Sequence, residues 1–474
     1  NLRLAAGAAE RRLALTWPRV DLENARPRVP SFYGLEALRA AEGTLPGFDE
    51  LRRRGETGGG ARLGWPAPEH AADAIDATEY DLAVLAQVQG SDATAGTGAA
   101  HYLLQANAHL ARALRARGRR WSRLWTSFDG LVAPHEKELA VPGSGPAAAD
   151  VYARAVAALA AHRMGARSFS PTALEHFAAC PYRFLLQAVH RLQPRQESEP
   201  LESIDPLTRG SLFHEVQFRV LTALRDQGRL PLDPTRLEAA FAELDRVMTQ
   251  VAAEYEERLA PAIPRVWTDG VNAIRADLRE WLRRSTEEAH GWVPHRFEWS
   301  FGLPSHARPT ADTLSRAEPI EITGGARLRG SIDLVERRAS DGHLRVTDHK
   351  TGKARVPHEA VIWGGAALQP VLYALVAEQG LDAPVEGGRL YYCTADGDFN
   401  ERVIPLDDES RAAAATAIGV VGGALERAFL PAAPRKDACV WCDYRRVCGP
   451  FEEQRTRRKP DEPLTDLKAL RELP

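Results

Sequence analysis

A chain of 474 residues is long enough for two or three domains, each with its own core. Its 61 basic and 64 acidic side chains leave a net charge of −3, which excludes a global attraction to nucleic acid and leaves that task to local patches. Five cysteines argue against a secreted disulfide scaffold, and no apolar run suits a membrane span or signal peptide, so the expected location is cytoplasmic. Only six of the basic residues are lysines, so an individual lysine stands out where an arginine does not. The chain begins at Asn1 and not at methionine, the expectation being that a preceding stretch is missing.

From Asn1 to about Ala166 the pattern is mainly helical, broken by Pro and Gly. Ala8–Pro18 reads as a helix feeding a short strand, and Gly55–Gly64 as a loop. In His101–Trp121 the residues Leu103, Leu104, Ala108, Ala111 and Leu114 recur at helical spacing. The basic end of that helix (Arg112, Arg115, Arg117, Arg119, Arg120) could touch phosphates, although a solvated face is the plainer reading. No phosphate-binding Gly-x4-Gly-Lys-Ser/Thr loop is present, and Pro142–Pro146 reads as a linker.

A second region opens at Ser168. Ser170 is placed to cap a helix begun by Pro171, and Cys180-Pro181 to end or kink it. Arg209–Glu215 starts a further helix carrying His214, a lone histidine that becomes a metal ligand only with carboxylates beside it. Helices continue to about His290, interrupted at Pro261 and Pro264. Arg296–Phe301 reads as a strand, with Glu298 a further acid beside the next pair of strands.

Arg327–Lys353 reads as two strands joined by Ala339-Ser340-Asp341-Gly342. Period-two alternation puts Leu328, Ile332 and Leu334 on one face and Asp333 on the other; Leu344, Val346, Asp348 and Lys350 share a face. If Arg338 pairs with His343, Asp333 falls opposite Asp348, close enough for one cation to bridge them. Such a cluster suits phosphodiester hydrolysis. Asp333, Asp348 and the His349 main-chain carbonyl would hold Mg²⁺, and Lys350 would orient a water or stabilise the transition state. A solvated surface hairpin is the plainer alternative.

Beyond it, Gly364–Glu378 reads as a helix in which Gln369 and Tyr373 share a face. Pro370 confines Gln369 to the first turn. These two could grip a phosphate or the attacking water; otherwise the tyrosine is core and the glutamine rim. Arg389–Thr394 is a strand in which Cys393 is a buried small hydrophobe. The tail carries Cys439-x2-Cys442-x5-Cys448, three thiols that want a soft metal and lack a fourth, for which Cys180 is the better candidate. Spacing leaves Cys₄ zinc and [4Fe–4S] both open.

Taken in order, Cys180, Gly-Ser-x-x-His214, Gly-x-x-Asp333, Asp348-x-Lys350-Thr-Gly, Gln369-x3-Tyr373 and Cys439-x2-Cys442-x5-Cys448 form a combined motif. It resembles the iron–sulfur nuclease domain of RecB-like PD-(D/E)XK nucleases, a group that includes AddB-type helicase–nuclease subunits. The resemblance covers about Ser168 to Pro450. It departs in having Ile332-Asp333 for Pro-Asp and an aspartate as second acid.

The resemblance implies an α/β fold, a mixed central sheet flanked by helices of restriction-endonuclease type. It implies catalytic Asp333, Asp348 and Lys350, assisted by Gln369 and Tyr373, with His214 helping to hold Mg²⁺ or Mn²⁺. It implies a [4Fe–4S] cluster on Cys180, Cys439, Cys442 and Cys448. Glu10–Arg19 more faintly resembles the arginine motif that closes helicase domains. The implied organisation is therefore 1–165, the end of a degenerate helicase-like domain, and 166–474, the nuclease domain. The implied function is metal-dependent exonucleolytic processing of DNA double-strand ends in recombinational repair, with an AddA-type helicase partner. A non-catalytic DNA-end scaffold whose partner cleaves is the alternative.

Overall fold

The structure, a computed structural model, describes residues 145–194, 203–287, 291–304, 311–449 and 451–474, with 7–11, 32–45, 67–90, 108–135 and a few isolated positions before 145. Gly55–Gly64, residues 142–144 and most of Glu10–Arg19 lie outside the described residues. Contacts divide the chain into two units, Asn1–Arg123 with Lys436–Arg458, and Leu124–Arg435 with Lys459–Pro474. Neither unit boundary falls at the 165/166 division expected from the sequence.

The longer described helices of the first unit are α1 (Phe32–Glu42), α2 (Ala77–Gly90) and α3 (Ala108–Trp121). α3 realises the basic part of the helix expected over His101–Trp121, whose Leu103 and Leu104 lie outside the described residues. One of its arginines is committed internally: Arg120 Nη1 donates to the Cys448 carbonyl at 2.7 Å. That carbonyl also accepts from Arg455 at 2.6 Å, so the segment carrying the three tail cysteines is tied down by two guanidiniums. Where a helix was expected over Ala8–Pro18, residues 8–11 form a turn and bend.

The second unit begins with α4 (Gly145–Leu159) and α5 (Pro171–Ala179). Ser170 Oγ accepts from the Ala173 N–H and Pro171 opens the first turn, as the sequence dictates; Cys180 closes the helix. α6 (Pro206–Asp226) is capped by Asp205, whose Oδ1 accepts from Leu207 and Thr208. α7 (Leu237–Leu259) and α8 (Pro264–Glu287) follow, separated at the expected prolines.

The strands are β1 (Trp292–Phe301), β2 (Ile320–Ile322), β3 (Ala326–Leu328), β4 (Gly330–Arg338), β5 (Leu344–Lys350), β6 (Val385–Tyr392) and β7 (Glu401–Pro405). Five of them form one mixed sheet in the order β7-β6-β5-β4-β1, antiparallel except for the parallel β5–β6 pair. That parallel pair needs a crossover, and α9 (Gln369–Leu381) supplies it. α10 (Asp408–Glu426) and α11 (Thr465–Glu472) complete the unit.

One core joins α5, α9 and α10 to Val335, Leu344 and Val346. A second joins α6, α7 and α8 to Phe297, Leu334 and Tyr391. The sheet is thus covered by helices on both faces, and among the described residues no helix is long and apolar enough to cross a membrane.

The hairpin has the register expected from its turn. The Arg338 N–H donates to His343 O at 2.8 Å, Gly342 takes the left-handed φ of 79°, and Leu334 lies opposite Thr347, which sets Asp333 opposite Asp348. One face assignment needs correction. Leu328 and Ile332 pack in the first core, whereas Leu334 packs in the second. The regular β4–β5 ladder ends at Leu334, and β1 is irregular alongside, so simple alternation fails at Asp333. The Gly364–Glu378 helix also starts later, at Gln369. Gly364 and Gly365 are both left-handed, and a Cβ on Gly364 would lie 2.5 Å from the Arg471 carbonyl oxygen.

Candidate active site

The site grows where β4 and β5 part. Beyond Leu334 the Asp333 carboxylate takes over the role of a ladder partner, accepting the His349 N–H at 2.7 Å. α6 brings His214 to the same carboxylate, with Nδ1 3.5 Å from Asp333 Oδ2 and 3.9 Å from Glu298 Oε1. Glu298, on β1, is buried and held in the left-handed region at φ 48°, an uncommon conformation for a non-glycine residue. Ser331 Oγ donates to its other oxygen at 2.9 Å.

Donor atoms of His214, Glu298 and Asp333 all lie within 4.8 Å of one another. Two carboxylates and an imidazole in that space fit a divalent cation that accepts oxygen ligands, such as Mg²⁺ or Mn²⁺. Glu298, only an ancillary acid in the sequence, is thereby a full member of the triad.

Asp348 lies outside that triad. It is buried, with Oδ2 2.6 Å from Lys350 Nζ. Lys350 Nζ also donates to Gln369 Oε1 at 2.6 Å, so α9 fixes the ammonium from the opposite side. Burial by itself would lower the Lys350 ammonium; the charge and hydrogen bond of Asp348, with Glu175 and Asp333 behind them, outweigh it and hold it above the ordinary lysine range.

Tyr373, one turn along α9 from Gln369, is buried. Burial first, then Asp348 and Asp333, pushes its hydroxyl well up. Gly330 makes room for that ring: a Cβ there would lie 3.2 Å from the Tyr373 hydroxyl oxygen and 3.3 Å from Phe301. The His349 side chain is buried against Trp281, ring centroids 5.9 Å apart. Burial, then His214, Arg389 and Lys350, holds its imidazole well below the ordinary range, so it is neutral. What the structure shows of the His349 main chain is its N–H on Asp333; its carbonyl as a metal ligand stays an expectation.

Sequence reasoning missed Glu175. Its Oε1 accepts from the main-chain N–H groups of Leu368 at 3.0 Å and Gln369 at 3.3 Å, capping α9 from a different helix. Burial raises its carboxyl and Asp348 adds to that, against the pull of Lys350 and the two N–H groups, leaving it at about 7. The available signal was an acid bordering the apolar face of α5, beside Leu174 and Ala178.

The cysteines are described in two places. Cys180 is half-buried at the end of α5 in the second unit. Cys439, Cys442 and Cys448 are half-buried in the first, and the Cys442 N–H reaches Cys439 O. Cys393 is fully buried, as expected of a core residue.

A mixed sheet covered on both faces, with Asp333, Asp348 and Lys350 converging where two strands separate, defines a nuclease-type α/β site. The family described as the PD-(D/E)XK nuclease superfamily matches residues 168–449, more than half of the chain. The chain belongs to that superfamily. It is also similar to the B subunit of the ATP-dependent helicase/deoxyribonuclease of Lacticaseibacillus casei, 28% identical over 247 residues that make up 48% of this chain and 19% of that protein. The protein of the same name from Moorella thermoacetica is 27% identical over 227 residues, 45% of this chain and 18% of that protein. In Thermoanaerobacter sp. the figures are 26% over 215 residues, 44% and 17%. The chain therefore spans less than a fifth of the length of these relatives.

Proposed function

We propose that this chain is a metal-dependent DNA exonuclease that hydrolyses phosphodiester bonds at double-strand ends. In this reading it is the nuclease subunit, of AddB type, of a helicase–nuclease complex, working with an AddA-type helicase in recombinational repair. The observation that carries the proposal is the convergence of the His214–Glu298–Asp333 donor set with the Asp348–Lys350–Gln369 chain at one strand end.

A divalent cation held by His214, Glu298 and Asp333, with Asp348 completing its shell, would supply Lewis-acid neutralisation of phosphate charge and a more acidic water. The chain's own residues do the rest. Asp348 and Gln369 fix the Lys350 ammonium so that it can donate to the attacking water or to an oxygen of the pentacovalent transition state. Glu175 holds the start of α9, and with it Gln369. The neutral His349 packs under the sheet and lends Asp333 its main-chain N–H.

A [4Fe–4S] cluster on Cys180, Cys439, Cys442 and Cys448 belongs to the same proposal, supported by the half-buried thiols and their spacing. Its chemistry there would be structural. Cys442→Ser should lower both cluster absorbance and melting temperature; loss of absorbance with unchanged melting would remove the structural role.

The direct test is digestion of end-labelled linear DNA by anaerobically purified protein with Mg²⁺ or Mn²⁺ against EDTA, beside Asp348→Ala and Lys350→Ala. Cleavage that needs metal and vanishes in both variants is the expected result. DNA binding without cleavage, even with a helicase partner added, would point to the scaffold.

A further inference from the structure

The second unit pairs several of its arginines with acids: Arg209 with Asp277, Arg345 and Arg389 with Glu336, Arg411 with Glu378. Arg167, Arg191 and Arg329 break that habit, since none of them forms an ion pair with a carboxylate among the described residues. They also stand together. The Phe169 N–H donates to Arg327 O and the Arg329 N–H to Phe169 O, both at 3.0 Å, which locks the Arg167–Phe169 stretch alongside Arg327–Arg329.

Arg167 Nη2 then donates to the Ala188 carbonyl at 2.7 Å, and Nη1 lies 2.5 Å from His162 Nδ1. Ala188 ends the turn that carries His190 and Arg191, both exposed, with Arg191 left-handed at φ 56°. Burial and then the neighbouring guanidiniums depress both Arg167 and Arg329, and no acid offsets them. Three guanidiniums gathered from three segments, with no carboxylate paired to them among the described residues, are a cationic surface that a polyanion would complete.

We infer that Arg167, Arg191 and Arg329, flanked by His162 and His190, form a ledge that grips the phosphate backbone of DNA entering the candidate active site. Arg329 is four residues before Asp333 on one extended stretch, about 13 Å at strand rise. That distance equals roughly four nucleotides of rise along one strand of a duplex. The ledge would thus hold the substrate a few phosphates from the bond to be cut, by contacts that carry no sequence preference. The inference rests on the nuclease reading for the direction in which the ledge leads, not for the binding itself.

The test is fluorescence anisotropy of labelled 20-base-pair duplex DNA with the full chain in EDTA, over a salt series. Arg191→Gln/Arg329→Gln is compared with Arg154→Gln/Arg265→Gln, which removes equal charge from two exposed arginines elsewhere. Losing two phosphate contacts should flatten the log–log salt slope by about 1.8 and weaken binding at 0.1 M salt by at least about tenfold. Arg191→Glu, at an exposed position, is the second variant should the double variant melt early. Equal weakening in ledge and control variants, no weakening in either, or no binding by the wild type at the lowest salt would each overturn the ledge. Wild-type cleavage with ledge-independent binding removes the ledge and leaves the nuclease. Ledge-dependent binding without cleavage does the reverse.

Discussion

Two charged clusters grow from the same hairpin, about three residues apart along its strands, and they are finished differently. Near the turn, the buried Glu336 carboxylate receives Arg345 at 2.9 and 3.0 Å, Thr347 at 3.2 Å and Arg389 at 3.1 Å. Although burial raises it, Arg389 and Arg345 together hold it below the usual carboxylate range. At the far end, Asp333 receives the His349 N–H at 2.7 Å and Glu298 the Ser331 hydroxyl at 2.9 Å, and both lie near His214 at longer range. The first cluster is closed by its own protein partners. The second gathers donor atoms of two carboxylates and an imidazole within 4.8 Å of one another, a grouping that costs stability unless a positive charge joins it. Structure and chemistry thus occupy opposite ends of one pair of strands.

Substitutions that separate the two ends test this contrast. The largest effect is expected at the open end: Asp348→Asn should reduce DNA cleavage about 10³-fold while leaving the melting temperature within a few degrees. Nuclease assay and thermal unfolding on the same preparation check both halves. Next, Glu336→Gln should destabilise by roughly 3 kcal/mol, because it takes the carboxylate from the half-buried Arg345 and leaves the buried Arg389 with Glu401 alone. Denaturant titration reads this, and a change under 1 kcal/mol would deny that the closed cluster is structural.

Glu298→Gln should weaken Mn²⁺ binding by about tenfold without DNA present, followed by calorimetry. Unchanged affinity would remove Glu298 from the donor set. The smallest effect concerns Glu175. Its carboxyl is raised, so the stability it contributes is full below the unfolded pKa near 4.5 and is lost as pH rises through about 7. Glu175→Gln should flatten that slope, by no more than about 3 kcal/mol over the window. Glu336 is lowered, so its contribution runs the other way, lost as pH falls. Stability curves should therefore tilt in opposite directions in separate windows, between about pH 4.5 and 7 for Glu175 and below about pH 4.5 for Glu336.

The open end was more legible in the sequence than the closed one. Asp341-Gly342 fixes the turn, the turn fixes the register, and the register sets Asp333 opposite Asp348, all within one short stretch. His214 and Gln369 were legible through the combined motif. Glu298 was legible only as a further acid beside the hairpin and Glu175 not at all, because their partners are 84 and 193 residues away in sequence (Glu298 from His214, Glu175 from Leu368), and no local period reports such pairings. The start of α9 was misjudged for a related reason. Gly364 and Gly365 look like tolerable helix residues until the Arg471 main chain packs against Gly364 and the Ala178 side chain against Gly365. Alternation failed at Leu334 because a side-chain carboxylate replaced a main-chain partner next to it.

Glu298 keeps a carboxylate in the site at the expense of a left-handed backbone, which glycine or asparagine would adopt with less strain. Drift at this position is therefore directional. A descendant that no longer cuts DNA is released from the carboxylate but not from the backbone geometry, so substitution should run toward Gly or Asn. The residue at this one position would then read as a record of whether a lineage still uses its site.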